Sequence, residues 1–289
     1  MKIQRHTEMK FELAEGPLWN PQQQVLFWVD ILGKRIWRSN ADGGDLASWP
    51  VPDHIGAMAL RKNGGAMLAL RNGFNSFDFE SGECCPILDP ESTIERTRFN
   101  DGKTDRRGRF VAGTMDYRES DPVGAFYSLS SDMNCVTLGS GVVIFNAPCW
   151  SPDDRIFYHA DSAKGTIYAS DYDIDTGAIS NTRILVGPGE APGAPDGATV
   201  DAEGYIWNAR WGAGCVVRFA PDGSIDRTIE IPADKTTSCA FGGPSLDRLY
   251  VTSMVDPANP NDPSDPEAGS LYIVTGLGVK GLPEPRFAG

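Results

Sequence analysis

The sequence has little of what zinc sites and hydrolytic nucleophiles ordinarily need. It contains three histidines, no two of them at metal-ligand spacing, and six cysteines without a Cys-x-x-Cys pair. A Gly-x-Ser-x-Gly segment is absent, as are a phosphate-binding loop and a dinucleotide-binding fingerprint. These absences disfavour a zinc finger, a serine hydrolase and a nucleotide-dependent enzyme.

Long apolar runs and basic residues are also scarce. The longest apolar runs, such as residues 25–29, are far too short to cross a bilayer, and none follows the polar start of the chain. Asp and Glu number 39 against 26 Lys and Arg, and the net charge of -13 repels nucleic acid and anionic lipid. We therefore expect a cytoplasmic protein with reduced cysteines and neither a nucleic-acid nor a membrane partner.

Glycine and proline are plentiful. The 289 residues include 32 glycines and 21 prolines spread along the chain, which favours many short strands joined by turns. No long segment has apolar residues at the helical period. A hydrophobic content of 40% is enough for a full core, and all-β chains of this length are often one domain.

Six segments of the chain repeat one pattern. Each has a turn, a short apolar run, a second turn and another short run rich in aromatic residues, which is typical of a β-hairpin. One apolar residue of each first run marks the repeat: Leu26, Met67, Phe110, Ile156, Ile206 and Leu249. These residues lie 41, 43, 46, 50 and 43 positions apart. A period in the forties with strand-turn-strand content indicates propeller blades.

The repeat also sets the number of strands. One more short strand precedes each hairpin and another follows it, so that each blade has four. A WD40 array would show Trp-Asp at the blade ends, and a β-sandwich would not repeat with this period. The sequence therefore predicts an all-β fold, a six-bladed β-propeller with four antiparallel strands per blade, as a single domain over residues 1–289.

Aligning the blades brings four polar residues into register. Ten residues before each marker, or eleven in the first blade because of an extra turn residue, the inner strand begins. Four of these six positions are Glu15, Asn100, Asn146 and Asp196. Any one of them could be a turn residue, but a propeller directs all four to one end of its axis. Buried carboxylates there require a cation or a hydrogen-bond network, and the oxygen ligands suit Ca²⁺, Mg²⁺ or Mn²⁺, with Zn²⁺ and Fe²⁺ left open.

Several motifs resemble those of a known family. The matching segments are Glu-Gly-Pro-Leu-Trp at 15–19, Arg-Phe-Asn-Asp-Gly-Lys at 98–103, Gly-Arg-Phe-Val-Ala-Gly-Thr-Met at 108–115, Asn-Ala-Pro-Cys-Trp-Ser at 146–151, Pro-Asp-Gly at 195–197 and Phe-Gly-Gly-Pro at 241–244. Across about residues 10–275 the chain resembles the senescence marker protein, gluconolactonase and luciferin-regenerating-enzyme-like family, which includes regucalcin and bacterial sugar lactonases.

The resemblance implies a six-bladed propeller with one divalent metal ion. It assigns the metal to Glu15, Asn146 and Asp196. It gives Arg98 and Asn100 contacts with the substrate. An acidic residue shortly after Gly-Thr-Met often joins them, and Glu119 is the nearest match. Many relatives have Asn-Gly where this chain has Asn-Ala at 146–147, a change that should alter backbone freedom and not the ligand.

These observations lead to one main functional hypothesis. We expect a metal-dependent lactonase that opens a small sugar lactone, with Asp196 as general base, acting as a monomer or weak homo-oligomer. The alternatives are a propeller esterase or phosphotriesterase and a non-catalytic calcium-binding regulatory propeller. Trp211 is either a sugar platform or a core residue, and the Pro/Asp-rich residues 256–268 form either a lid or a surface loop.

Overall fold

The computed structural model describes residues 1–289 and consists of twenty-four β-strands, numbered in chain order from β1 (Lys2–Arg5), with no helix. The strands form six separate four-stranded antiparallel sheets. From the innermost strand outward, blades 1 to 3 are β2 (Ala14–Asn20), β3 (Val25–Asp30), β4 (Arg35–Asn40), β5 (Ala47–Pro50); β6 (Ile55–Leu60), β7 (Ala66–Leu70), β8 (Gly73–Phe77), β9 (Cys84–Leu88); and β10 (Thr97–Thr104), β11 (Phe110–Asp116), β12 (Gly124–Leu129), β13 (Cys135–Val142).

The second half of the chain continues the same order. Blades 4 to 6 are β14 (Phe145–Trp150), β15 (Ile156–Asp161), β16 (Thr166–Tyr172), β17 (Ile179–Val186); β18 (Ala194–Val200), β19 (Ile206–Trp211), β20 (Cys215–Phe219), β21 (Ile225–Glu230); and β22 (Thr236–Gly242), β23 (Arg248–Ser253), β24 (Tyr272–Thr275), β1. The innermost strands contact one another in sequence around the axis, and β2 meets β22 to close the ring. The prediction of a six-bladed propeller is confirmed.

Blade 6 differs from the expected chain order. Its outermost strand is β1 from the beginning of the chain, which pairs antiparallel with β24 from Lys2 opposite Thr275 to Arg5 opposite Tyr272. The expectation that a fourth strand follows every hairpin is therefore wrong for this blade. Because the first strand and the last strand of the chain share one sheet, the backbone hydrogen bonds of that sheet hold the ring closed.

The second strands are buried along most of their length because neighbouring blades cover both of their faces. All five residues of β7 are buried, whereas β21 on the outside of blade 5 buries only Ile229. Core clusters join adjacent blades, as where Phe27 and Val29 of blade 1 pack with Leu68 and Leu70 of blade 2. The structure has no helix that could span a membrane.

Every innermost strand contains a break in its pairing with the second strand. The breaks lie between Glu15 and Leu18, Ile55 and Ala57, Phe99 and Asp101, Asn146 and Cys149, Pro195 and Ala198, and Thr236 and Cys239. A bulge of this kind bends the strand and redirects the side chains beside it. Each of the four polar residues in register therefore sits at or inside a bulge near one end of the axis.

The last residues of the chain cross the other end of the axis. The Phe287 N–H donates to the Leu60 carbonyl, and the Ala288 N–H donates to the Gly108 carbonyl, both at 2.9 Å. Glu284 accepts a hydrogen bond from the Lys103 ammonium at 3.1 Å inside the channel. This C-terminal strap, residues 276–289, lies opposite the end that carries the polar bulges.

Candidate active site

A cavity of about 390 Å³ opens at the end of the axis where the bulges lie. All six residues that the sequence predicts as site residues line it: Glu15, Arg98, Asn100, Glu119, Asn146 and Asp196. The six residues come from four blades. No two of the inner strands of these blades pair with each other, so the closure of the ring is what brings the residues together. None of residues 256–268 lines the cavity, so the Pro/Asp-rich segment is not part of its wall.

Three oxygen-bearing side chains meet at the base of the cavity. The carboxyl groups of Glu15 and Asp196 lie close enough for each to shift the pKa of the other. The Nδ2 of Asn146 donates to Ser162 Oγ at 2.8 Å, while its Oδ1 is buried without any hydrogen-bond partner. Neither carboxyl group forms an ion pair with Lys, Arg or His. Such an arrangement leaves negative charge and an orphaned acceptor facing one point, which is what a cation requires.

The electrostatics of the two carboxyl groups agree with this geometry. Burial, followed by the nearby carboxylates of Asp196 and Asp101, raises the pKa of Glu15 well above its usual value. The pKa of Asp196 is raised by burial and then by Asp101. A divalent ion held by these residues would favour the charged form of both carboxyl groups and would give Asn146 Oδ1 a partner.

The donor set decides which kind of ion fits. No group of three or more His, Cys, Asp or Glu side chains is arranged to hold a metal, because the third donor here is an amide. Two carboxylates and an amide oxygen are hard ligands of the kind that Ca²⁺, Mg²⁺ and Mn²⁺ take. The chemistry of these residues therefore fits a divalent metal ion.

The backbone after Asn146 is held in an unusual conformation. Ala147 has a φ of 61°, in the left-handed region that glycine adopts easily, and Gly16 after Glu15 has a φ of 51°. The Ala147 N–H donates to Asp101 Oδ2 at 2.9 Å, and Asp101 Oδ1 accepts from the Gly102 N–H at 2.7 Å. Asp101 is not among the residues that the sequence predicts for the site, although it follows Asn100 in the same Asn-Asp-Gly motif.

Arg98 and Asn100 form one rigid unit on blade 3. The Arg98 Nη1 donates to the Phe99 carbonyl at 3.0 Å and to Asn100 Oδ1 at 2.9 Å, and the side chain is 7% exposed. Asn100 Nδ2 donates in turn to the Phe145 carbonyl at 2.9 Å. The guanidinium lies 5.8 Å from the centre of the Tyr117 ring. The amide of Asn100 is thus occupied in orienting Arg98.

Glu119 reaches the cavity from the loop after β11. Its φ is 54°, and its N–H donates to the Asp116 carbonyl at 2.9 Å. The carboxylate of Asp116 accepts the N–H groups of Arg118, Ser120 and Asp121, which folds the loop into a turn. These bonds and the Arg96 guanidinium hold the pKa of Asp116 well below its usual range. The loop that carries Glu119 therefore has its own internal order.

Arg210 is a second residue that sequence reasoning missed. It is 2% exposed and donates to the carbonyls of Pro192 at 2.7 Å and Gly193 at 2.9 Å, just before β18. Its Nη1 also donates to Asn208 Oδ1, and Asn208 Nδ2 donates to the Asp196 carbonyl at 2.5 Å. Burial lowers the pKa of Arg210 to about 10. This chain of bonds fastens the backbone that carries Asp196.

A family model described as the SMP-30/Gluconolactonase/LRE-like region matches residues 13–255, which include every residue of the site. The chain belongs to this family. Among curated proteins of the SMP-30/gluconolactonase family, it is 37% identical over 296 residues to regucalcin of Xenopus laevis, covering 100% of this chain and 99% of the relative. The resemblance drawn from the motifs is confirmed.

Solved structures in the same family have the same architecture. Luciferin-regenerating enzyme superposes with a TM-score of 0.94 at 28% identity, covering 99% of each chain. A calcium-binding regucalcin from Agrobacterium tumefaciens superposes with a TM-score of 0.91 at 28% identity, covering 98% of this chain and 96% of that one. The similarity therefore extends over the whole propeller, both ends of the axis included.

Proposed function

We propose that the protein hydrolyses a sugar lactone to the corresponding aldonic acid, using one divalent metal ion held by Glu15, Asn146 and Asp196. The observation that carries the proposal is the meeting of two carboxyl groups with the orphaned Asn146 Oδ1 at the base of the cavity. Membership of a family whose description includes gluconolactonase supports the reaction class. The donor set favours Ca²⁺, Mg²⁺ or Mn²⁺ over Zn²⁺ and Fe²⁺.

Each residue has a role that follows from its place. The bound ion would polarise the lactone carbonyl as a Lewis acid. Asp196, partly exposed to the cavity, takes a proton from the attacking water and returns it to the ring oxygen as the ester bond breaks. Arg98 donates hydrogen bonds to substrate hydroxyls, Asn100 keeps Arg98 in position, and Glu119 accepts a hydrogen bond from a substrate hydroxyl.

A non-catalytic calcium-binding propeller is the second candidate, and the Agrobacterium relative described as a calcium-binding regucalcin favours it. Arg98 does little to exclude the phosphotriesterase alternative, since a guanidinium binds hydroxyl and phosphoryl oxygens alike.

We place the protein in the cytoplasm as a monomer or weak homo-oligomer. Its six cysteines, all free, support a reducing compartment.

The proposal is tested by stripping the protein with EDTA and restoring each divalent ion in turn. Acid release from a panel of pentonolactones and hexonolactones is then followed with a pH indicator. We expect turnover only with metal, and a loss of about 100-fold or more in kcat for Asp196→Asn. Asp222→Asn, in an exposed turn, is the matched control and should keep full activity. Tight metal binding without turnover of any lactone would favour the regulatory candidate.

A further inference from the structure

The wall of the cavity is chemically uneven. Apart from the three groups at its base, the charged side chains come from blade 3, where Arg98 and Glu119 lie. In a ring of six blades, blade 6 faces blade 3 across the axis. The side facing Arg98 is formed by Met254 just after β23 of blade 6, Leu13 just before β2 of blade 1 and Trp211 at the end of β19 of blade 5. This side consists of apolar groups.

The three apolar residues are fixed to one another. Leu13 and Met254 form an antiparallel bridge, and the Met254 N–H donates to the Lys235 carbonyl at 3.1 Å. The indole Nε1 of Trp211 donates to Met254 Sδ at 3.3 Å. The Lys235 ammonium, paired with Asp256, lies 5.2 Å from the centre of the indole ring. The only hydrogen-bond donor of the indole is therefore already used within the protein.

Trp211 is 40% exposed at the mouth of this cavity, so the interpretation of it as a core residue is wrong. A large apolar surface held open beside a polar site is costly unless a ligand covers it. A substrate hydroxyl placed against this wall loses its bond to water and finds no partner. A methyl group in the same place loses nothing and removes apolar surface from water.

We propose that Leu13, Trp211 and Met254 form an apolar subsite that takes an alkyl substituent of the lactone. The substrate class is then the 6-deoxy or otherwise alkyl-bearing aldonolactones, whose hydroxyls face Arg98 and whose methyl end faces Met254. This inference rests on the proposed lactonase function and narrows it. It follows from the position of the charged groups: Met115 and Ile144 also line the side that carries Arg98 and Glu119, but the side formed by Leu13, Trp211 and Met254 has no charged side chain.

Matched pairs of lactones test the proposal on the metal-loaded, full-length protein. L-rhamnono-1,4-lactone differs from L-mannono-1,4-lactone only in having a methyl group in place of the terminal carbinol, and L-fucono-1,4-lactone differs from L-galactono-1,4-lactone in the same way. We expect kcat/KM to be about tenfold higher for the deoxy member of a pair that is turned over. A ratio of one or below in the pairs that react overturns the subsite and leaves the lactonase function standing. Absence of turnover with every lactone overturns the lactonase function itself.

Two variants locate the preference. Met254→Gln and Leu13→Asn each place an amide in the wall, and either should bring the ratio of kcat/KM values close to one by slowing the deoxy lactone about tenfold. Metal affinity should stay unchanged, since neither side chain is a proposed ligand. Met9→Gln and Leu46→Asn make the same changes at exposed positions and should leave the ratio as it is. An unaltered ratio in folded Met254→Gln, judged by an unchanged melting temperature, would refute the subsite.

Discussion

At the scale of single residues, the backbone at Ala147, next to the candidate metal ligand Asn146, depends on one neighbouring side chain. A non-glycine residue in the left-handed region costs about 1–2 kcal/mol, so a neighbour must compensate for it. Here the neighbour is Asp101, which accepts the Ala147 N–H and is itself 6% exposed. Burial raises the pKa of Asp101, while the N–H groups of Gly102 and Ala147 favour its charged form. We therefore regard Asp101 as a positioning residue for Asn146.

Replacing Asp101 with Asn tests this role. The amide keeps one acceptor oxygen but sets an NH₂ group against one of the two backbone N–H groups, of Gly102 and Ala147. We expect the affinity for the divalent ion to fall about 10- to 100-fold, as measured by competition with a chelator. The additional change Ala147→Gly should restore part of the affinity, because glycine adopts the same backbone without support. Asp132→Asn, at an exposed turn, is the control; unchanged affinity in D101N would show that Asp101 has no such role.

The residues of the site differ in how far sequence reasoning could find them. Glu15, Asn146 and Asp196 stand at one offset from the repeat markers, and the family motifs assign them the same role. Ser162 could not be found in this way, because its value lies in bonds to Asn146 and to the Pro195 carbonyl at 2.6 Å. Those bonds join two blades. A serine after a strand does not indicate by its sequence position which neighbouring blade it will contact.

At the scale of elements, the predictable strands are those with apolar residues to bury. The inner three strands of each blade carry runs such as Ala66–Leu70, and the repeat placed them correctly. The strand β1 reads Lys-Ile-Gln-Arg with alternating exposure on the outside of blade 6, so it has no apolar run to recognise. Its pairing with β24 depends on the closure of the ring, which local sequence does not encode.

The C-terminal strap is the element that the repeat leaves out. Phe287 is fully buried and packs in the cluster that contains Met67, Phe74 and Phe110 of blades 2 and 3. Its N–H donates to the carbonyl of Leu60 at the end of β6, and its carbonyl accepts from the N–H of Lys62 just after that strand. The strap therefore joins two blades at the end of the axis that is remote from the cavity.

Phe287→Ala should lower the free energy of unfolding by about 3–5 kcal/mol, because it removes a large side chain from a packed cluster. Urea unfolding followed by tryptophan fluorescence measures the change, with Ile225→Ala at a 46% exposed position as control. Metal affinity of the folded variant should be preserved, since the candidate ligands lie at the opposite end of the axis. A loss below about 1 kcal/mol would mean that the strap rests on the ring without stabilising it.

At the scale of the whole molecule, the stability of the ring depends on pH through a buried histidine that stays neutral in the folded protein. His159 is 4% exposed and stacks against the rings of Phe126 and Tyr168, each with its centroid 5.0 Å away. Its Nδ1 has no hydrogen-bond partner. Burial lowers the pKa of His159 from 6.5 to about 4, against a smaller opposite effect of Asp161. The folded protein thus keeps this imidazole neutral where the unfolded chain protonates it.

The consequence is a loss of stability in acid. Between about pH 6.5 and pH 4 the unfolded chain binds a proton at His159 that the folded protein does not, so the free energy of unfolding falls as the pH falls. The full contribution of this group is present above pH 6.5 and amounts to at most about 3 kcal/mol. His159→Phe fills the same stack without a titrating group, so its stability should fall less than that of the parent across this range. Urea unfolding in EDTA at half-unit pH intervals gives the difference between the two proteins, in which the opposing titration of Glu15 and Asp196 cancels. Parallel curves would show that His159 is protonated as readily in the ring as in the unfolded chain, and that the aromatic stack does not exclude its charge.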